Sequence, residues 1–317
     1  MTTSAARTRL EPAVLEWLEA AEELMAGLPD LRSPDWTRRR KAAGELADEL
    51  ARRFTRPGPA ECEVEDFQAY GGLTMRRYRR PGGEIRAAHL SIHGGGFAHG
   101  SVYEEINDRL LRQRAMDSGV DIFTVDYRLA PEHPYPAALN DCVDMMVWLI
   151  DHSHELRIDM DRIGVGGSSA GGNLAALVAA RARNTVHHQV LEVPAASLDI
   201  SRDASYREFG ELEPFGDLSE LRAAYLAEGI PADEWTAPDQ VDRLEGLAPA
   251  LVITAECDPL RDCGQAYAAR MAEAGVDVQT WCGPGQTHGS PGVTRTSVIA
   301  REWQDRVSDY LRTITAA

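Results

Sequence analysis

Two periods of apolar spacing alternate along the chain. Leu10, Val14, Trp17, Leu18, Ala21 and Leu24 fall at helical spacing with glutamates between them, which predicts an amphipathic helix over 10–26, ended by Gly27-Leu28-Pro29. A second helix is predicted from about Asp35 to Phe54, begun by Ser33-Pro34 and stopped by Pro57-Gly58-Pro59. Its basic run, Arg38 to Lys41, reads as a solvated helix face. Both helices precede the first strand signal and are expected outside the main sheet. Strands are predicted at 62–69 and 73–78, joined at the hairpin signal Gly71-Gly72, and at 85–93. After them helices and strands alternate: helix 103–116, strand 120–126, helix 137–152, strand 161–165, helix 174–182, strand 188–193. Residues 195–240 break the rhythm with acidic residues, aromatics and Pro214, Pro231 and Pro238, and read as an insertion of short helices and loops. Alternation resumes with strand 250–255, helix 263–274, strand 276–281 and a closing amphipathic helix over 297–313. Such alternation predicts an α/β fold with a parallel sheet covered on both faces.

One junction carries a chemical signature. Between strand 161–165 and helix 174–182 the chain reads Gly166-Gly167-Ser168-Ser169-Ala170-Gly171-Gly172-Asn173. Gly167-Ser168-Ser169-Ala170-Gly171 fits Gly-x-Ser-x-Gly, in which a sharp strand-to-helix turn holds a serine hydroxyl out in front of the sheet. Two serines compete; Ser169 is preferred because glycines lie two residues to either side of it, whereas Ser168 is flanked by Gly166 and Ala170. A phosphate-binding loop fits less well. A dinucleotide fingerprint beginning at Gly164 would need a glycine where Ser169 stands, and no Gly-Lys-Ser/Thr ending follows.

A serine hydroxyl needs a base to take its proton, usually a histidine oriented by a carboxylate. In the α/β-hydrolase order the acid and then the histidine follow the serine. Of nine histidines only His288 lies beyond His188, in a loop just after a strand, so His288 is the expected base. The acid belongs on a loop between Ser169 and His288. Glu256 and Asp258, after strand 250–255, both qualify; Asp258 is favoured because it lies further from the sheet and Pro259 begins a rigid turn. Asp262 reads as structural. N–H donors for an oxyanion are expected from Ala170, the residue after the serine, and from Gly95 and Gly96 in the glycine-rich loop after strand 85–93. His93 precedes the serine and reads as structural.

Composition narrows the partners. The chain has 317 residues, enough for one large α/β domain with an accessory. A formal net charge of −17 argues against nucleic acid or an anionic membrane as partner. Cys62, Cys142, Cys257, Cys263 and Cys282 are odd in number and form no CxxC pair, so neither a zinc site nor a disulfide framework is signalled and a reducing, cytoplasmic setting is expected. Glutamates interrupt every apolar stretch of residues 1–30, so no signal peptide is read there, and no stretch approaches the roughly 18 apolar residues of a membrane span.

The set His93-Gly94-Gly95-Gly96-Phe97, Asp126-Tyr127-Arg128-Leu129-Ala130-Pro131-Glu132, Gly167 to Asn173, Asp258-Pro259-Leu260-Arg261-Asp262 and His288-Gly289 resembles the hormone-sensitive lipase family of α/β-hydrolases, the bacterial family IV esterases. The resemblance covers the chain from about residue 60 onward. It implies an eight-stranded, mostly parallel sheet as core over 56–194 and 241–317, with a helical cap from 1–55 and 195–240. It carries the nucleophile, acid and base onto Ser169, Asp258 and His288, and the oxyanion donors onto Gly95, Gly96 and Ala170. Ser168 stands where the family commonly has Asp or Glu, Cys263 where Glu is frequent and Ser290 where Phe is frequent. Arg128 and Glu132 are expected to hold loops near the site. The implied activity is a serine carboxylesterase for short- to medium-chain acyl esters, without metal or organic cofactor. The same machinery serves amides, lactones and thioesters. A small-molecule receptor with a silent triad is the alternative from another class, and the presence of all three triad residues weighs against it. Relatives often form homodimers.

Overall fold

A computed structural model of the chain describes residues 3–212, 218–227, 233 and 235–316. The strands are β1 (Glu63–Gln68), β2 (Thr74–Arg79), β3 (Arg86–Ile92), β4 (Asp121–Val125), β5 (Ile158–Ser168), β6 (Gln189–Glu192), β7 (Ala250–Ala255) and β8 (Val278–Gly283). They form one sheet in the order β1-β2-β4-β3-β5-β6-β7-β8. β2 runs antiparallel to β1 and β4, and every other pair is parallel. Parallel strands buried on both faces tend to read as apolar runs; β4, β6 and β7 are buried at every position, β7 being nearly all apolar while Asp121, Gln189 and Glu192 are buried polar exceptions in β4 and β6.

The α-helices are α1 (Thr3–Arg7), α2 (Pro12–Ala26), α3 (Trp36–Phe54), α4 (Glu105–Ser118), α5 (Ala137–Asp151), α6 (Ser153–Leu156), α7 (Ala170–Arg181), α8 (Ala204–Phe209), α9 (Leu218–Leu226), α10 (Arg261–Glu273) and α11 (Val298–Ile314). The predicted elements are present with ends shifted by a few residues. The strand predicted at 161–165 runs the whole length of β5, and the one predicted at 276–281 lies two residues later as β8. Helices α1 and α6 were not anticipated; they have five and four residues, too few to show a period.

Helix α7 is buried from Ala170 to Ala180. Its small residues let it lie close against the sheet, so its N-terminus is fixed relative to β5. The N-terminal helices pack elsewhere. Val14, Trp17, Leu18 and Ala21 of α2 and Leu46, Leu50 and Phe54 of α3 share one apolar cluster with Phe209, Leu212, Cys257, Val293 and Ala300. Residues 3–54 thus lie outside the sheet, against α8 and the loops that follow β7 and β8. Pro214, Phe215 and Pro231 of the expected insertion lie outside the described residues.

The basic run departs from its expected role. Arg38 and Lys41 are solvated, but Arg39 and Arg40 turn inward. Arg39 pairs with Glu220 of α9 at 2.9 Å and lies 4.5 Å over the Trp36 ring. Arg40 donates to the carbonyls of Ala98 (2.8 Å) and Ala130 (2.7 Å) and pairs with Glu132. Charge composition alone cannot tell a solvated arginine from one docked on carbonyls contributed by distant loops.

Candidate active site

The turn from β5 into α7 is built by exclusion. A Cβ on Gly167 would lie 2.5 Å from the carbonyl oxygens of Gly171 and Ile92, and one on Gly171 would collide with the Ile92 carbonyl and reach 2.6 Å from that of His93. These obstacles are backbone atoms that cannot rotate away, so both flanking positions of the motif require glycine. Between them Ser169 takes φ 58° and ψ −118°, a conformation that L-residues rarely adopt. The strain is held by three hydrogen bonds: Ser169 N–H donates to Glu192 O (2.9 Å), and Ser169 O accepts from Asn173 N (3.0 Å) and Ala195 N (3.1 Å).

The Ser169 hydroxyl meets an imidazole. Oγ lies 2.8 Å from Nε2 of His288, and Nδ1 of His288 lies 2.9 Å from Oδ2 of Asp258. Asp258 is fully buried, and its Oδ1 accepts from Leu260 N–H at 2.7 Å. A carboxylate can only accept here, so Nδ1 carries the proton and Nε2 is left to accept from the serine. The loops that bring Asp258 and His288 together are tied to each other. Cys257 N–H donates to Gln286 O (2.8 Å) and Thr287 Oγ1 donates to Cys257 O (3.0 Å). Ser290 Oγ accepts from Thr287 N–H (2.9 Å) and donates to Gln286 Oε1 (2.8 Å). Glu256, the other acid weighed from sequence, faces away: it accepts from Gly285 N–H (2.9 Å) and pairs with Arg9 at 2.6 Å.

The glycine loop after β3 lies against the same turn. A Cβ on Gly94 would sit 3.0 Å from Ser168 O and 3.4 Å from Ser169 Cβ. Gly95 (φ 110°) and Gly96 (φ 60°) both use left-handed backbone that a side chain would strain. Leu221 of α9 covers Gly96, its Cδ2 lying 3.1 Å from where a Cβ would be. Beyond the loop, Phe97 stacks on Tyr225 of α9 at 3.8 Å between ring centroids. Ala170 is the first residue of α7, where backbone N–H groups and the positive end of the helix dipole face outward. His93 does the structural work expected of it. Its Nδ1 donates to Gly94 O (2.8 Å), its ring stacks on Tyr127 (4.3 Å), and burial pushes its pKa down. Arg128 binds Asp141 of α5 bidentately, and Glu132 meets Arg40, so both hold loops as expected.

Among the described residues no group of three or more His, Cys, Asp or Glu could hold a metal ion, and no helix is long and apolar enough to cross a membrane. Sequence reading missed the residues behind the site. Arg114 of α4 and Glu192 of β6 form a buried bidentate pair (2.7 and 2.8 Å), and Trp303 Nε1 donates to the same carboxylate (2.7 Å). Arg9 and Glu11 reach the acid and base loops from the other side. No motif marks these positions; the one available signal is a charged residue, Glu192, directly after the apolar pair Val190-Leu191 at the end of β6.

A family model for the α/β-hydrolase fold matches residues 89–291. The chain is 35% identical over 245 residues to the carboxylic ester hydrolase LipN of Mycobacterium tuberculosis, a stretch covering 74% of this chain and 62% of LipN's own length. It is 36% identical over 246 residues to an arylesterase of Saccharolobus solfataricus, covering 75% of this chain and 78% of that one. Its fold is similar to that of a hyperthermophilic esterase from the archaeon Pyrobaculum calidifontis, with a TM-score of 0.84 and 32% identity over 97% of this chain and 99% of that chain. With five motifs in order, the matching sheet and this breadth of similarity, the chain belongs to the α/β-hydrolase family, in its hormone-sensitive lipase, family IV-type branch.

Proposed function

We propose that the protein is a serine carboxylesterase for short- to medium-chain acyl esters, with Ser169 as nucleophile, His288 as base and Asp258 as the acid that orients it. The observation that carries this reading is the unbroken line from Ser169 Oγ through the His288 ring to Asp258, with 2.8 and 2.9 Å separations, at the apex of a strained turn. Ser169 Oγ attacks the acyl carbonyl carbon while its proton passes to His288 Nε2. The N–H groups of Gly95, Gly96 and Ala170 receive the tetrahedral oxyanion. Collapse breaks the ester bond, and His288 returns the proton to the departing alcohol. Water, deprotonated by His288, then attacks the acyl-serine, the acid leaves, and Ser169 regains its proton. No step requires a cofactor.

The described residues of 1–55 and 195–240 form the cap over the described residues of the body, 56–194 and 241–317. Leu221 above Gly96, together with the Phe97–Tyr225 stack, supports an enclosed acyl site rather than an open lipid-binding surface. Five free cysteines fit a reducing, cytoplasmic setting. The reading is tested by hydrolysis of esters graded from acetyl to long chain, with His288→Ala beside the wild type. Acetyl to hexanoyl esters should turn over fastest, and His288→Ala should lose on the order of 10⁴-fold or more in kcat. Near-normal turnover in that variant, or a preference for long-chain triglyceride, would sink it.

A further inference from the structure

The stretch between α1 and α2 meets the loops bearing the acid and the base with polar groups, not only with apolar ones. Glu11 N–H donates to Gly285 O at 3.0 Å. One carboxylate oxygen of Glu11 accepts from Gln286 Nε2 (2.8 Å) and Ser297 Oγ (2.5 Å), and the other from Val298 N–H (3.3 Å). The approach is close: a Cβ on Gly285 would sit 2.7 Å from Glu11 N. Arg9 bridges Glu208 of α8 (2.7 Å) and Glu256 (2.6 Å), and its guanidinium lies 5.0 Å from the centre of the Phe209 ring. Glu256 in turn accepts from Gly285 N–H at 2.9 Å, and the Arg9 hydrogen bond holds its carboxyl below the usual carboxylate range.

These bonds form one chain. Glu208, Arg9, Glu256, Gly285, Glu11 and Gln286 follow in contact from the cap to the loops, and the Cys257 N–H to Gln286 O bond closes the circuit. Glu256 stands two positions before Asp258, and the fully buried Gln286 two positions before His288. A lid that only covers a pocket would need apolar packing, which α2 already supplies. The polar groups instead converge on the two backbone segments whose separation fixes where the imidazole sits.

We propose that Arg9 and Glu11 are positioning residues, which lock the acid loop to the base loop and hold His288 at hydrogen-bond distance from Ser169. The inference rests on the triad reading above. Its consequence is that the N-terminal segment governs turnover itself as well as access. A misplacement of about 1 Å in a reacting group can cost on the order of 10²-fold in rate.

The test compares wild type, Arg9→Met, Glu11→Gln, Glu11→Ala, Gln286→Ala and the Glu11→Ala/Gln286→Ala double variant on p-nitrophenyl acetate, a substrate with a minimal acyl group, well below each variant's melting temperature. Glu11→Ala and Arg9→Met should each lose about tenfold or more in kcat with KM within about twofold of wild type. Glu11→Gln, which keeps an acceptor oxygen for Gln286 and Ser297, should recover part of the loss. The double variant should lose little more than the worse single one, as expected for coupled partners. A purely structural role would lower the melting temperature and leave kcat of the folded enzyme unchanged. If Glu11→Ala fails to fold, Arg9→Met reads the same coupling from the acid-loop side. His288→Ala separates the two readings: if it is inactive while the Arg9 and Glu11 variants keep wild-type kcat, this proposal alone is overturned. If it retains full turnover, the triad reading fails. Fully additive losses, or losses confined to KM, would also overturn the positioning role.

Discussion

Replacing Arg114 by Met should destabilise the protein from directly behind the turn that carries Ser169. The Arg114 and Glu192 side chains are only 9% and 6% exposed, so solvent screens their interaction little. Arg114 makes two hydrogen bonds to the carboxylate and two to Gln304 Oε1, at 2.7–2.9 Å. Methionine keeps the apolar stem and helical propensity but leaves Glu192 with the single Trp303 N–H as donor. Breaking one side of a buried pair costs about 3–5 kcal/mol. At roughly 2 °C per kcal/mol for a large domain, the melting temperature should fall by about 6–10 °C. Replacing Glu192 by Met as well removes the orphaned charge, and at least half of the loss should return, because apolar substitutes for buried ion pairs are often close to neutral. Glu192 also supplies the carbonyl that holds Ser169 N–H. The single variant should therefore lose acetyl-ester turnover even well below its melting point. Calorimetry at pH 7.5 on wild type, single and double variants decides. A drop below 2 °C in the single variant, or a double variant no more stable than the single, would refute the reasoning.

Two further perturbations probe the turn and the sheet beneath it. Gly171→Ala sets a methyl group against the Ile92 and His93 carbonyls, so it should cost about 3 kcal/mol or more and abolish turnover; wild-type melting and activity would contradict the exclusion argument. His89 and His188 stack on one face of the sheet, over Gly164 and Gly166 of β5, with Nδ1 and Nε2 3.0 Å apart. Burial above all, with the adjoining imidazole, holds His89 well below its usual value, and burial and His187 push His188 down to about 3. Both are neutral when folded, whereas the unfolded chain takes up protons below about pH 6.5. Their contribution to stability is therefore complete above about pH 6.5 and is lost as pH falls below it, for His188 down to about pH 3. Between pH 7 and 5 the His188 ring should cost about 2 kcal/mol, His89 adding to the loss in the same direction, and His188→Gln should flatten the fall in melting temperature over that interval. An unchanged slope would show that other groups drive the acid sensitivity.

The parts of the site that sequence exposes are those governed by local geometry. Glycines at 167 and 171 are forced by carbonyls a few residues or one strand away, and they leave the Gly-x-Ser-x-Gly spacing in plain view. The order of Ser169, Asp258 and His288 is legible because parallel strands deliver successive loops to the same end of a sheet. Asp258 is favoured over Glu256 by the sequence through its distance from the sheet and the following Pro259, and the two part fully in three dimensions, where one reaches the imidazole and the other the Gly285 N–H. Arg40, Arg9 and Glu11 were opaque for a different reason. Each binds groups far away in sequence, and a charged side chain near a helix end looks the same whether it meets water or a distant polar partner. Helices α8 and α9 are short and weakly patterned, so neither their ends nor the seating of Leu221 over Gly96 follows from spacing.

The central claim, that Ser169 is a nucleophile activated by His288, is tested most directly by covalent trapping. A p-nitrophenyl alkylphosphonate releases one equivalent of p-nitrophenol as its phosphorus bonds to an activated serine oxygen. Wild type should be labelled once, peptide mass spectrometry should locate the adduct on Ser169, and esterase activity should disappear in proportion to labelling. Ser169→Ala should take up no label, and His288→Ala should react at least about 10³-fold more slowly. Labelling on Ser168, or equal labelling rates in wild type and His288→Ala, would contradict the account.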